Sequence, residues 1–134
     1  MADGLTEVTV ADSGDGNFVQ NVTGKTHHFL SDASVEKGGQ DKGPTPYELL
    51  LAALGSCTSI TIRMYAERKG WQTGQISVGI QLETEKGVSK FIRSVRFEKD
   101  LPAEQRERLL AVAREPMRFD VTPVFQLRPL GLAL

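Results

Sequence analysis

Few side chains here can do covalent chemistry, and one of them stands alone: Cys57 is the chain's single cysteine. It follows Gly55-Ser56 at the end of the apolar run Leu49-Leu50-Leu51-Ala52-Ala53-Leu54. A lone thiol is either a nucleophile, working as its thiolate, or a small core residue. A nucleophilic thiol needs a cation or hydrogen-bond donor beside it to lower its pKa. Nothing within one helical turn of Cys57 supplies a cation, since Arg63 is six residues on. The open partners are His27, His28, Arg114 and Arg118. His27 and His28 are adjacent on an expected strand, so their side chains face opposite ways and at most one can reach a given pocket. Tyr47 can donate a hydrogen bond through its hydroxyl, and Glu48 follows it.

The elements that position these groups are legible. Thr6–Val10 alternates polar and apolar residues. Asp12–Asn17 is a turn cluster, Phe18–Val22 a second strand, Thr23–Lys25 a tight turn and Thr26–Leu30 the return. Residues 31–45 read as a loop, because Gly38, Gly39, Gly43, Pro44 and Pro46 crowd its end. A helix of about two dozen residues, ~35 Å long, then runs to Lys69. Thr45 is its N-cap, Pro46 its first residue, Glu48 sits where an acid suits the dipole, and Gly70 stops it. On it, Leu50, Ala53, Leu54, Ile60, Thr61 and Met64 share the face of Cys57, and this apolar face is expected to point inward. Gly55-Ser56 is a point where the helix could break and give the thiol a new N-terminus. Gln75–Glu83 and Phe91–Glu98 alternate around Thr84–Gly87 and read as a hairpin. Pro102–Arg114 is an amphipathic helix ended by Pro116, and Val121–Leu127 a last, edge-confined strand. The order βββ-α-ββ-α-β is α+β, expected as one domain over residues 1–134.

Composition narrows the function classes. Sixteen basic and seventeen acidic residues give a net charge of −1, which argues against nucleic-acid or membrane partners recruited by bulk charge. The Leu49–Leu54 run is far shorter than the ~20 residues a bilayer needs. The acidic N-terminus is not expected to be a signal peptide. One cysteine excludes an internal disulfide and fits a reducing cytoplasm. One cysteine and two histidines are too few for a zinc site, and no Walker-type phosphate loop is present. No cofactor is expected.

The stretch from Gly38 to Cys57 resembles the signature of the OsmC/Ohr family, the osmotically inducible and organic hydroperoxide resistance proteins. The resemblance is carried by Gly38-Gly39, Gly43-Pro44-Thr45-Pro46, Glu48–Leu54 and Gly55-Ser56-Cys57, and the order of elements extends it over nearly the whole chain. It is most similar to the OsmC-like branch. The family implies an intertwined homodimer with sites at the subunit interface, and thiol-dependent reduction of hydroperoxides, organic ones preferred. It implies that Cys57 is the attacking thiol, which becomes a sulfenic acid. Three of the family's supports are replaced. No second cysteine stands near Ala113–Met117, Tyr47 rather than glutamate follows Pro46, with Glu48 about 100° further round the helix, and no arginine precedes Arg63. Two readings follow. One is a one-cysteine hydroperoxide reductase with Cys57 as nucleophile, Tyr47 as hydrogen-bond donor, Glu48 and Arg118 as lesser candidates, and an external reducing thiol. The other is a non-catalytic dimer that binds a small hydrophobic ligand in an interfacial pocket, with Cys57 structural.

Overall fold

The computed structural model describes residues 6–114. An antiparallel meander of β1 (Thr9–Asp12), β2 (Gln20–Thr23) and β3 (His28–Ser31) comes first. A short 3₁₀ turn at Val35–Lys37 leads to α1 (Pro46–Lys69). The hairpin β4 (Ile76–Glu85) and β5 (Val88–Phe97) and the helix α2 (Ala103–Arg114) follow. This is the expected α+β order. The expected last strand at 121–127, the Pro116 helix stop and Arg118 lie outside the described residues.

α1 begins and ends where its sequence says. Thr45 Oγ1 accepts the Glu48 amide at 3.3 Å, and the Glu48 carboxylate accepts the Thr45 amide at 2.8 Å. This reciprocal pair satisfies two otherwise unpaired donors. Gly70 closes the helix at φ +70°, its N–H bonded to the Ala66 and Glu67 carbonyls. The helix is unbroken at Gly55-Ser56, so no second N-terminus forms there. Cys57 is therefore the twelfth residue of a continuous helix, beyond the reach of its N-terminal dipole.

The hairpin is longer than its alternation alone implies. Lys86 and Gly87 both take positive φ, 50° and 79°, the geometry of a two-residue hairpin turn that follows strand twist. The register pairs Ile76 with Phe97, Val78 with Val95, Ile80 with Arg93 and Leu82 with Phe91. This face receives α1 and α2. Ile62, Ala66, Phe97, Leu109 and Ala113 form the buried cluster, flanked by Tyr65, Trp71, Ile76, Val95, Leu101 and Leu110. Tyr65 and Trp71 meet edge to face at 5.9 Å, and Arg108 Nε donates to the Tyr65 hydroxyl at 2.8 Å. That hydrogen bond holds the phenol below its ordinary pKa.

The glycine-rich loop is tied down by one carboxylate. Asp32 is buried and accepts the amides of Ala33 (2.8 Å), Gln40 (2.8 Å) and Lys42 (3.3 Å). The Gln40 amide contributes most to holding its carboxyl below the usual value, with Lys42 and Ala33 adding to it against the opposing effect of burial. A depressed native pKa stabilises the fold above the unfolded value, and that contribution disappears as pH falls toward the native one. The thermal midpoint of the wild type should therefore drop below about pH 4 more steeply than that of Asp32→Asn. Parallel profiles would show that the carboxylate does not organise the loop.

Candidate active site around Cys57

Over its length α1 is apolar enough to cross a bilayer, because its residues are apolar on two sides. A helix apolar all round is normally covered all round. Here one side is covered: Thr58, Ile62 and Ala66 are buried against the hairpin and α2. The other side carries Cys57 and is open. Ile60 is 54% and Met64 60% exposed, with Leu50, Ala53, Thr61 and Cys57 exposed beside them. This corrects the expectation that the Cys57 face points into the core. The 100° spacing identified the residues sharing a face. It could not decide which of two apolar sides meets the sheet within one protomer.

An exposed thiol at the centre of an apolar stripe is open to attack an incoming electrophile. Its expected helpers are spread through the fold. Tyr47 is exposed on α1, but ten residues before Cys57, about 15 Å along the axis at 1.5 Å per residue. Within one protomer it does not reach the sulfur. The Glu48 carboxylate is bonded to the Thr45 amide as part of the cap. His27 lies just before β3 and His28 opens it, both exposed, and Arg114 is exposed at the end of α2. Among the described residues no group of three His, Cys, Asp or Glu side chains could hold a metal ion.

One cation not expected from the sequence does reach α1, on the covered side at Thr58 rather than on the open side that carries Cys57. Arg93 Nη1 donates to Thr58 Oγ1 at 3.0 Å, and Thr58 Oγ1 donates to the Leu54 carbonyl at 2.9 Å. This links β5 to the residue next to the thiol. The signal was present in the alternation: Arg93 interrupts the apolar series Phe91, Val95, Phe97. Two cavities flank α1 on the hairpin side. One, of about 410 Å³, is lined by Leu51, Ala52, Gly55, Ser56, Ser59, Val78 and Ile80. The other, of about 200 Å³, is lined by Leu54, Ile80, Phe91 and Arg93.

Comparison with known proteins agrees with this architecture. A Psychrobacter arcticus protein named for osmotic stress induction and detoxification response superposes with a TM-score of 0.72 at 17% identity, covering 90% of this chain and 91% of that one. The organic hydroperoxide resistance protein OsmC of Legionella pneumophila gives 0.58 at 19% identity over 84% of each chain. OhrB of Bacillus subtilis, an organic hydroperoxide resistance protein, gives 0.57 at 19% identity, also over 84% of each. No curated protein matches the sequence. The OsmC-like protein family model matches residues 39–116, a span that holds Gly39, Gly43-Pro44-Thr45-Pro46, the whole of α1 with Cys57, the hairpin and α2. By that match, and by the fold it shares with these structures, the chain belongs to the OsmC/Ohr family.

Proposed function

We propose that the protein is a one-cysteine, thiol-dependent hydroperoxide reductase, acting on organic hydroperoxides as a homodimer. The observation that carries this reading is the placement of Cys57: exposed, mid-helix, in an apolar stripe, on the motif of a family whose solved members include organic hydroperoxide resistance proteins. The Cys57 thiolate attacks the terminal peroxide oxygen. The O–O bond breaks, the alcohol leaves with a proton, and the sulfur becomes a sulfenic acid. With one cysteine in the chain, an external thiol condenses with the sulfenic acid and releases water. A second external thiol frees Cys57 as that disulfide departs. Such a cycle suits a reducing compartment such as the cytoplasm.

The exposed stripe supports the dimer. Leu50, Ala53, Ile60, Thr61 and Met64 recur around Cys57 at helix–helix spacing, and a second copy would cover those mostly apolar neighbours. A second subunit also offers a route by which Tyr47 assists Cys57, since ten helical residues separate the two within one protomer. Met64→Glu would bury an unpaired carboxylate in that interface, and is expected to weaken self-association about 100-fold. Sedimentation velocity measures it. An unchanged mass would remove the stripe from the interface.

The peroxidase reading is tested by incubating the purified protein with cumene hydroperoxide and a dithiol. Consumption well above that of the dithiol alone is expected. No acceleration overturns the reading. The cavity lined by Leu54, Ile80, Phe91 and Arg93 favours a second reading, in which the dimer binds a small hydrophobic ligand and Cys57 is packing. That version predicts ligand binding without turnover.

A further inference from the structure

The C-terminal end of α1 gathers aromatic and charged groups that the reductase chemistry does not use. Tyr65 flanks the buried cluster and meets Trp71 edge to face at 5.9 Å, so its ring is held in place. Arg108 Nε, on α2, donates to the phenol oxygen at 2.8 Å. The Arg108 guanidinium carbon lies 5.4 Å from the ring centre. Lys69 Nζ, one turn further along α1, lies 5.8 Å from it. A donor to the oxygen and two nearby cations favour the charged form of a phenol. The Arg108 hydrogen bond contributes most to lowering the pKa of Tyr65, burial opposes it, and the charges of Arg108, Lys69 and Arg68 add to the lowering.

Tyr65 also faces a space that a solute can enter. With Lys69, Trp71, Glu104, Glu107 and Arg108 it lines a surface cavity of about 490 Å³. Glu104 and Glu107 offset the two cations in net charge, but the contact at the phenol oxygen itself is with Arg108. An oxygen stabilised in its anionic form and open to a cavity is a nucleophile. We propose that Tyr65 is a modification site, which takes an acyl group from an activated donor such as an acyl phosphate or a thioester. The Tyr65 oxygen attacks the carbonyl carbon and an O–C bond forms. The bond from that carbon to the phosphate oxygen or the thiol sulfur breaks, and the leaving group keeps the electron pair. The phenolic proton goes to solvent. Nothing is oxidised or reduced. Arg108 is a positioning residue in this account, because it acts through the Tyr65 oxygen. Tyr65 is not part of the Cys57 stripe, and its reaction is measured with no peroxide or reductant present. Its failure is thus distinct from a failure of Cys57 to react.

The test adds N-acetylimidazole to the protein mixed with N-acetyltyrosinamide, a fully exposed reference phenol, and follows both esters by mass spectrometry of the digested sample. The Tyr65 ester is expected to form at least about threefold faster than the reference ester, a gain held down because a lower pKa also weakens the nucleophile, as for thiols. Arg108→Gln should bring Tyr65 down to the reference rate or below it, and Arg108→Lys should keep part of the gain. Arg108 is exposed, so both substitutions spare the core. In Tyr47→Phe protein Tyr65 is the one tyrosine left. Its phenolate absorbance should titrate below that of the reference phenol, and adding Arg108→Gln should move the midpoint up. A Tyr65 that acylates no faster than the reference would overturn the proposal. So would a rate or a midpoint that Arg108→Gln leaves unchanged, which is what a merely structural contact predicts.

Discussion

Replacing Cys57 with serine is expected to cut thiol-dependent peroxide consumption at least about 10³-fold, the loss typical when a nucleophile is removed. The thermal midpoint should hardly move. Both parts follow from the position of the side chain. Serine has nearly the same shape, but its hydroxyl cannot pass through a sulfenic acid and a mixed disulfide. Cys57 is exposed in the protomer, and exposed substitutions usually stay within about 0.5 kcal/mol. A buried structural cysteine would give the reverse pattern, with stability lost and no activity to lose. Measuring rate and melting on the same preparation separates the two.

A second large effect is expected at Gly43, far from the thiol in sequence but at the entrance to its helix. A Cβ there would collide with the Leu30 carbonyl group and crowd the Ser31 amide. All of these are backbone atoms and cannot swing aside. The next residue is itself a clamp, because the Pro44 carbonyl accepts the Asp32 amide at 3.2 Å and the Ser31 hydroxyl at 2.9 Å. Gly43→Ala must therefore push the loop off β3 or break those bonds, at a cost of about 2–4 kcal/mol. Gly79→Ala is the control. It also adds one methyl, but nothing lies within 4 Å of that Cβ, and its effect should be close to zero. Urea unfolding of the two variants should differ by most of the predicted cost. Equal midpoints would mean that the loop has another way to pack.

These sites show what a sequence can and cannot disclose here. The ends of α1 were legible because caps are local: threonine, proline and glycine act within a turn of themselves. The hairpin was legible because its alternation is strict, although the turn proved tighter, at Lys86-Gly87, and the strands correspondingly longer. The orientation of Cys57 was not legible. α1 is apolar on two sides, and periodicity names the members of a face without saying what covers it. Only the docking of Thr58, Ile62 and Ala66 onto the core fixes the other side as the open one. Arg93 was missed for a related reason. Its contact with Thr58 spans 35 residues and depends on the register that sets it opposite Ile80. The role of Asp32 likewise needs the loop closed, since the Gln40 and Lys42 amides come from eight and ten residues away.

The replaced family supports sharpen the chemical question. With Glu48 used in the cap and Tyr47 about 15 Å along the axis from the thiol of the same chain, the proposed reductase needs its activating group from a second copy or from another part of the fold. Arg93 is the described cation that the fold joins to the residue beside the thiol.

The most direct test is the fate of the Cys57 sulfur itself. One equivalent of cumene hydroperoxide is added to reduced protein, a sulfenic-acid trap follows, and the Cys57 peptide is read by mass spectrometry. The account predicts the trapped adduct on Cys57 within the mixing time of the assay, with its loss when an external thiol is added before the trap. An unmodified Cys57 thiol after complete mixing, with the peroxide still present, would contradict it.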